Sequence, residues 1–309
     1  MHRRGGKSFS PTGRRKNSAI GNSRRKNADR WASREDCVPE RREKIHRRQA
    51  EHQLSAELRP FWKANNPRRN CSLRRRHGRL LAVLDSMEIT IRRTAAATAV
   101  AAKYLARQNS SVATLCGCGE QARAQLRALC LILSLRKVYA FDIDSSASLR
   151  LAAQLSCELP IDIEAVRSLP GAIRSSDVVV TCTPATEFFV HKEDVASGTF
   201  IAAVGADASQ KNEIDPALLA SVKVVGDSLE QVCSIGDTHH AIAQRLMRKE
   251  NVYAELSEVV AGKKAGRSSE AEIIVFDSTG VAIEDAAAAT LAYEKALIAG
   301  IGNYFEFAA

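Results

Sequence analysis

The chain has 309 residues, 45% of them apolar and 26% charged, with a formal net charge of +10. That length suits two domains, or one large domain with an extension. No run of about 18 apolar residues and no apolar leader occurs, so neither a membrane helix nor a secretory signal is expected.

The charge is unevenly placed. Residues 1–77 hold 23 Lys and Arg against 7 Asp and Glu, and the remainder holds 22 against 28. The basic character belongs to this head, and the acidic body gives no reason to bind nucleic acid. Arginine pairs recur through the head (Arg14-Arg15, Arg24-Arg25, Arg47-Arg48, Arg68-Arg69, Arg74-Arg75), and large aliphatic residues are scarce. Such a segment cannot bury enough apolar area to offset its chain entropy, so residues 1–77 are expected to be disordered and to show no strand. Charge alone gives them a weak possibility of binding nucleic acid or an anionic surface, and a solvated tail is the plainer reading. The first 28 residues are Arg- and Ser-rich without acids, like a transit peptide, but lack its apolar face. The break at 77–78 makes the head read as aberrant, a wrong start or frame rather than an evolved domain.

From Gly78 the composition becomes that of a globular protein. Arg79–Leu84 reads as a short strand ending at Asp85-Ser86. Thr90–Leu105 reads as an Ala-rich helix with Ala96, Val100 and Tyr104 at helical spacing. Arg92 cannot share a helix face with Arg93 and reads as solvated. An apolar strand over 112–116 then enters Cys116-Gly-Cys-Gly-Glu-Gln-Ala122, and a helical pattern leaves it. This is a Gly-x-Gly-x-x-Ala turn. Gly117 makes the tight strand-to-helix turn, Gly119 lets backbone approach a pyrophosphate, and Ala122 allows close helix packing. The phosphates would sit on unpaired N–H groups at the positive end of the helix, those of Glu120 and Gln121 among them.

A second strand, 137–141, ends at Asp142, 25 residues after Gly117. A carboxylate there accepts hydrogen bonds from ribose hydroxyls and repels a 2′-phosphate, which favours NAD over NADP. Further strands are expected at 160–164, 177–182, 199–204, 222–226 and 272–276. Near-continuous apolar runs such as Asp177–Cys182 suit a parallel sheet covered on both faces. The fold class is therefore α/β, a doubly wound Rossmann-type parallel sheet with a second, smaller substrate and dimerisation domain. The divisions are a head (1–77), a remnant of the first domain (78–108), an NAD-binding domain (109–281) and a C-terminal helix returning to the first domain (282–309). That last helix, about Ala282–Ile298, is expected to pack on the helix at 90–105.

Cysteines stand at 37, 71, 116, 118, 130, 157, 182 and 233, without metal-ligand spacing. Reduced thiols in a cytoplasmic protein, and no metal, are expected. His239-His240 are adjacent on a helical stretch, poor geometry for a metal, and read as structural.

Together these pieces resemble the ornithine cyclodeaminase/mu-crystallin family over about residues 78–309. The carrying segments are Thr90-x-x-Arg93-Thr94-Ala-Ala, Ala101–Arg107, the glycine turn, Phe141-Asp-Ile-Asp144, Val204-Gly-Ala-Asp207 with Lys211 and Glu213, and Phe276-Asp-Ser-Thr-Gly280 with Glu284-Asp285. The resemblance implies hydride transfer between a nicotinamide and the α-carbon of a small amino-acid substrate, in a homodimer. In its cyclodeaminase form ornithine is oxidised to an imine, the δ-amine attacks, ammonia leaves, and the cyclic imine is reduced to proline. Alanine dehydrogenases and ketimine reductases are the alternatives within it. It implies Asp207 as the acid/base, Arg93 as the clamp on the substrate α-carboxylate, and Thr94 near the cofactor phosphates. Cys182-Thr183-Pro184, Val204-Gly205 and Ser278-Thr279 would line the cofactor. Lys211 and Glu213 match positions near Asp207, and an exposed loop ion pair between them is the ordinary alternative. The family's N-terminal segment, source of a further Arg and Lys for the substrate, has no identifiable counterpart before Gly78; Trp62–Pro67 is a faint echo. A protein that binds NAD(H) without turnover is the third reading.

Overall fold

The computed structural model describes residues 70–74, as backbone, and residues 80–305. The expectations of disorder and of an aberrant origin for the head otherwise lie outside the described residues. Strand β1 (Asn70–Arg74) pairs antiparallel with β2 (Leu80–Asp85), with Cys71 opposite Leu84. This corrects the expectation that no strand precedes residue 78. Two alternating apolar residues, Cys71 and Leu73, are too short a signal to stand out among arginine pairs.

Helix α1 (Ser86–Leu105) starts four residues earlier than expected, because the Asp85 carboxylate accepts from Met87 N–H at 2.8 Å and caps it. The chain then alternates strand and helix: β3 (Val112–Cys116), α2 (Glu120–Ile132), β4 (Lys137–Phe141), α3 (Ser145–Glu158), β5 (Asp162–Ala165), α4 (Leu169–Arg174) and β6 (Val178–Thr181). It continues through β7 (Phe200–Ala203), α5 (Pro216–Leu219), β8 (Lys223–Gly226), α6 (Leu229–Val232), α7 (Asp237–Ala243), β9 (Ala254–Glu255), α8 (Leu256–Val260), β10 (Ile274–Asp277) and α9 (Ala282–Ala299). The seven strands expected from residue 112 onward lie within two residues of their expected bounds. β9 is the addition; two residues carry no readable alternation.

Strands β3 to β10 form one parallel sheet in the order β5-β4-β3-β6-β7-β10-β8-β9. Its strands are apolar on both faces because both faces are covered. Val178, Val180, Phe200, Ala202, Ile274 and Phe276 enter one core with α1, α2 and α3. Their neighbours Val179, Ile201, Ala203 and Val275 enter the other, with α4, α5 and α7. This period-two division follows from the strand pleat and makes the sheet doubly wound. Helix α9 packs on α1 and β2, with Ala289 and Tyr293 against Ile89, Leu81 and Leu84.

The strand order also places the site. From β3 the chain runs to β4 on one side, while β6 pairs on the other. Above the carboxyl ends of β3 and β6 the connections diverge, and doubly wound sheets bind ligands in such a crevice.

Candidate active site

A cavity of about 310 Å³ opens at that crevice. Its floor comes from three consecutive loops of the sheet: Cys182-Thr183-Pro184 after β6, Val204, Gly205 and Asp207 after β7, and Ser278-Thr279-Gly280 after β10; the glycine turn follows β3, the next strand over. Its roof comes from Thr90, Arg93 and Thr94 of α1, which share a helix face by their spacing, and from Gln121 of α2.

The glycine turn has the geometry its sequence predicts. Gly117 has φ +90°, a region L side chains rarely adopt, and a Cβ there would stand 2.8 Å from Cys182 O. Gly119 is the N-cap of α2 in ordinary extended backbone, and a Cβ there would meet nothing within 4 Å. Open space thus lies at the amino end of a 13-residue helix, where N–H groups lack intrahelical partners. Ala122 is buried in the core. Asp142 accepts from Cys118 N–H at 2.7 Å and Asp144 N–H at 2.9 Å, tying the end of β4 to the turn. It stands beside the turn and not in the cavity wall. The Glu120 side chain points away to solvent and pairs with Arg123, leaving only its backbone to face a phosphate.

Three further candidate residues pair with other side chains. Thr183 donates through N–H and Oγ1 to Glu213 Oε1, both at 2.7 Å. Asp207 is exposed and pairs with Lys211 Nζ at 2.6 Å, while Lys211 Nζ also donates to Gly205 O. Arg93 Nε donates to Asp285 Oδ1 at 3.1 Å and its Nη1 to Glu284 Oε2 at 3.3 Å. Arg92 is solvated as expected and pairs with Glu88 on its own helix.

The alternative of an exposed Lys211–Glu213 ion pair is corrected. Glu213 is wholly buried and accepts from Thr181 Oγ1, Thr183 and Gly205 N–H; the lysine's partner is Asp207. Glu213 belongs to a set of four acids beneath the cavity, the rest of which sequence reasoning missed; Asp237 and Asp277 are buried like it and Asp227 is half-buried. Asp237 Oδ1 accepts from Glu213 and Ile214 N–H; Asp277 accepts from Asp237 N–H and from Thr238 N–H and Oγ1. Asp227 accepts from Gly280 N–H at 2.6 Å and from the hydroxyls of Ser278 and Thr279. Burial pushes all four carboxyls above the usual range, and for Asp237 the neighbouring Asp277 and Glu213 push further. Their amide bonds run the other way, so each acid fixes backbone at the cost of an unfavourable charge. His239-His240 lie on α7, where His240 Nε2 bonds Lys211 O at 2.8 Å, in keeping with a structural role.

This arrangement offers an extended ligand one helix terminus, one arginine fork and one exposed carboxylate around a common cavity. Among the described residues no helix is long and apolar enough to cross a membrane.

A family model described as the ornithine cyclodeaminase/mu-crystallin family matches residues 74–299. Three solved structures are similar. Thermococcus litoralis Δ1-pyrroline-2-carboxylate reductase, in complex with NADH and L-proline, is 37% identical with a TM-score of 0.75, covering 76% of this chain and 74% of that one. An archaeal alanine dehydrogenase dimer with bound NAD is 40% identical with a TM-score of 0.74, covering 77% and 74%. A lysine cyclodeaminase, studied for recognition of L-lysine, L-ornithine and L-2,4-diaminobutyric acid, is 30% identical with a TM-score of 0.69, covering 76% and 67%.

Proposed function

The chain belongs to the ornithine cyclodeaminase/mu-crystallin family, and from that premise we propose that it uses NAD(H) to interconvert a small α-amino acid and its imine at the cavity roofed by α1. The observation that carries this reading is the placement of Arg93, Asp207 and the open amino end of α2 around one cavity. Among the family's reactions, reduction of an imine or its reverse is the first reading, because the reductase and the dehydrogenase share more identity with this chain than the cyclodeaminase does. Ornithine cyclodeamination, the finer expectation from sequence, is the second reading and needs the same residues plus a place for the δ-amine.

NAD(H) fits the residues present. Gly117 and Gly119 leave the helix terminus open to the pyrophosphate, with the backbone of Glu120 and Gln121 facing it, and Asp142 stands where ribose hydroxyls are met. Thr94, Thr183, Pro184, Val204, Gly205 and Ser278 line the cavity beyond. When bound, the nicotinamide supplies hydride exchange at the α-carbon.

The protein's own groups do the rest. The Arg93 fork grips the α-carboxylate and fixes the α-carbon. Asp207, paired with Lys211, takes a proton from the substrate amine or returns it. Glu213 and Asp227 hold the loops that carry Thr183, Gly205 and Ser278–Gly280, so the reacting groups meet a rigid floor. A homodimer belongs to this reading. Val83, Met87, Leu291, Ile298 and Ile301, on β2, α1 and α9 and just beyond it, are exposed large apolar side chains of the kind that oligomers cover.

The test is NADH consumption with Δ1-pyrroline-2-carboxylate, or with pyruvate plus ammonia, set beside NAD+ with L-ornithine. Consumption in either of the first two supports the first reading; proline and ammonia from ornithine would move the proposal to the second. NADH binding without any of these products would leave a nucleotide-binding protein and overturn the catalytic reading for these substrates.

A further inference from the structure

The guanidinium proposed to meet the substrate is already held by two consecutive acids of α9. The two differ in position. Asp285 is buried, with 8% of its side chain exposed, and bonds Nε. Glu284 is more open, at 23%, and bonds Nη1. A carboxylate gripped in two parallel bonds needs adjacent N–H groups of the fork. The Nε contact leaves the Nη1–Nη2 edge for that purpose, and Glu284 stands on one half of it. The same two nitrogens lie over Gly280, where an added Cβ would stand 2.7 Å from each, so a glycine there leaves the fork its place at the cavity wall.

We propose that Glu284 is an internal stand-in for the substrate carboxylate on Arg93, displaced when substrate binds, while Asp285 fixes the direction of the fork. This rests on Arg93 being the carboxylate clamp. Both acids are positioning residues. Asp285 keeps the guanidinium aimed, and Glu284 sets how strongly an amino or imino acid must compete for it.

The surroundings of Glu284 give the idea a pH signature. Arg93 faces it from α1, Asp227 from the loop after β8, and Asp285 from its own helix. Burial first, then Asp227 and Asp285, raise its carboxyl to about 7 against the pull of Arg93. At pH 8 Glu284 is charged and occupies Nη1. At pH 6 it is mostly protonated and competes weakly. Carboxylate affinity therefore rises as the pH falls from 8 to 6.

The experiment is calorimetric titration of the NADH-loaded protein with L-proline at pH 6, 7 and 8. It compares the parent with Glu284→Gln, Asp285→Asn and Arg93→Gln. Glu284→Gln, nearly the same shape, is expected to bind L-proline about fivefold tighter at pH 8, the worth of one partly exposed ion pair, and to lose the pH trend. Asp285→Asn is expected to bind more weakly at every pH. Glu284→Gln with parental affinity and parental pH dependence would overturn the proposal, as would no binding in either protein. If Arg93→Gln binds as the parent does, the clamp reading of Arg93 fails instead, which separates the two failures.

Discussion

Two glycines two residues apart should respond to the same substitution in opposite ways. In Gly117→Ala the new residue is held at φ +90°, which costs an L-residue about 1–2 kcal/mol. Its Cβ also stands 2.8 Å from Cys182 O and 2.9 Å from Thr183 Cγ2, contacts that force backbone apart at about 1–3 kcal/mol. A loss of about 3 kcal/mol lowers Tm by about 6–12 °C for a domain of this size. In Gly119→Ala the backbone is ordinary (φ −80°, ψ −166°) and the methyl meets nothing, so the cost is at most about 1 kcal/mol, that of a poorer N-cap. The methyl does fill the space assigned to the pyrophosphate, so the Kd for NADH should rise about tenfold or more, equivalent to about 1.4 kcal/mol. Thermal melts and NADH fluorescence titrations on both variants measure the two effects. Parental NADH affinity in Gly119→Ala would refute the reasoning about the turn, and a parental melt in Gly117→Ala would refute the reasoning about its strain.

Other outcomes follow from the same geometry. Asp142→Ala should weaken NADH binding and narrow the parent's preference for NADH over NADPH; a parent that prefers NADPH would contradict the role given to Asp142. The four acids beneath the cavity have folded-state carboxyls raised above their unfolded values near 4, so the folded state binds more protons there. Their contribution therefore destabilises as pH rises from about 4 towards the raised folded values, and because Asp277 is raised to about 7, Tm should climb on going from pH 8 to pH 6. Asp237→Asn keeps an oxygen for Glu213 and Ile214 N–H and removes a charge that burial, Asp277 and Glu213 all disfavour, so it should raise Tm at pH 8. A Tm equal at both pH values in the parent would show that these groups titrate elsewhere.

Much of this architecture was legible in local patterns. The strands of the parallel sheet showed as apolar runs because both faces are buried, and the glycine turn showed because its conformation requires glycine at 117. What could not be read was the set of contacts between residues far apart. Asp227, Asp237 and Asp277 look like ordinary loop or cap acids in sequence; only the convergence of four strand ends beneath one cavity makes them supports for its floor. Glu213 shared a segment with Lys211 and so invited an ion pair, but it turns inward to Thr183 and Gly205 while Lys211 reaches Asp207. The start of α1 was missed because Asp85 ends one element and caps the next in a single residue.

The central claim is hydride exchange between NADH and a substrate α-carbon at the cavity holding Arg93 and Asp207. It is tested most directly with NADH deuterated at nicotinamide C4, incubated with Δ1-pyrroline-2-carboxylate or with pyruvate and ammonia, and the amino-acid product weighed by mass spectrometry. Deuterium on the product α-carbon in the parent, lost in Asp207→Asn while NADH binding persists, is the predicted result. Product without the label, or an Asp207→Asn variant as active as the parent, would contradict it.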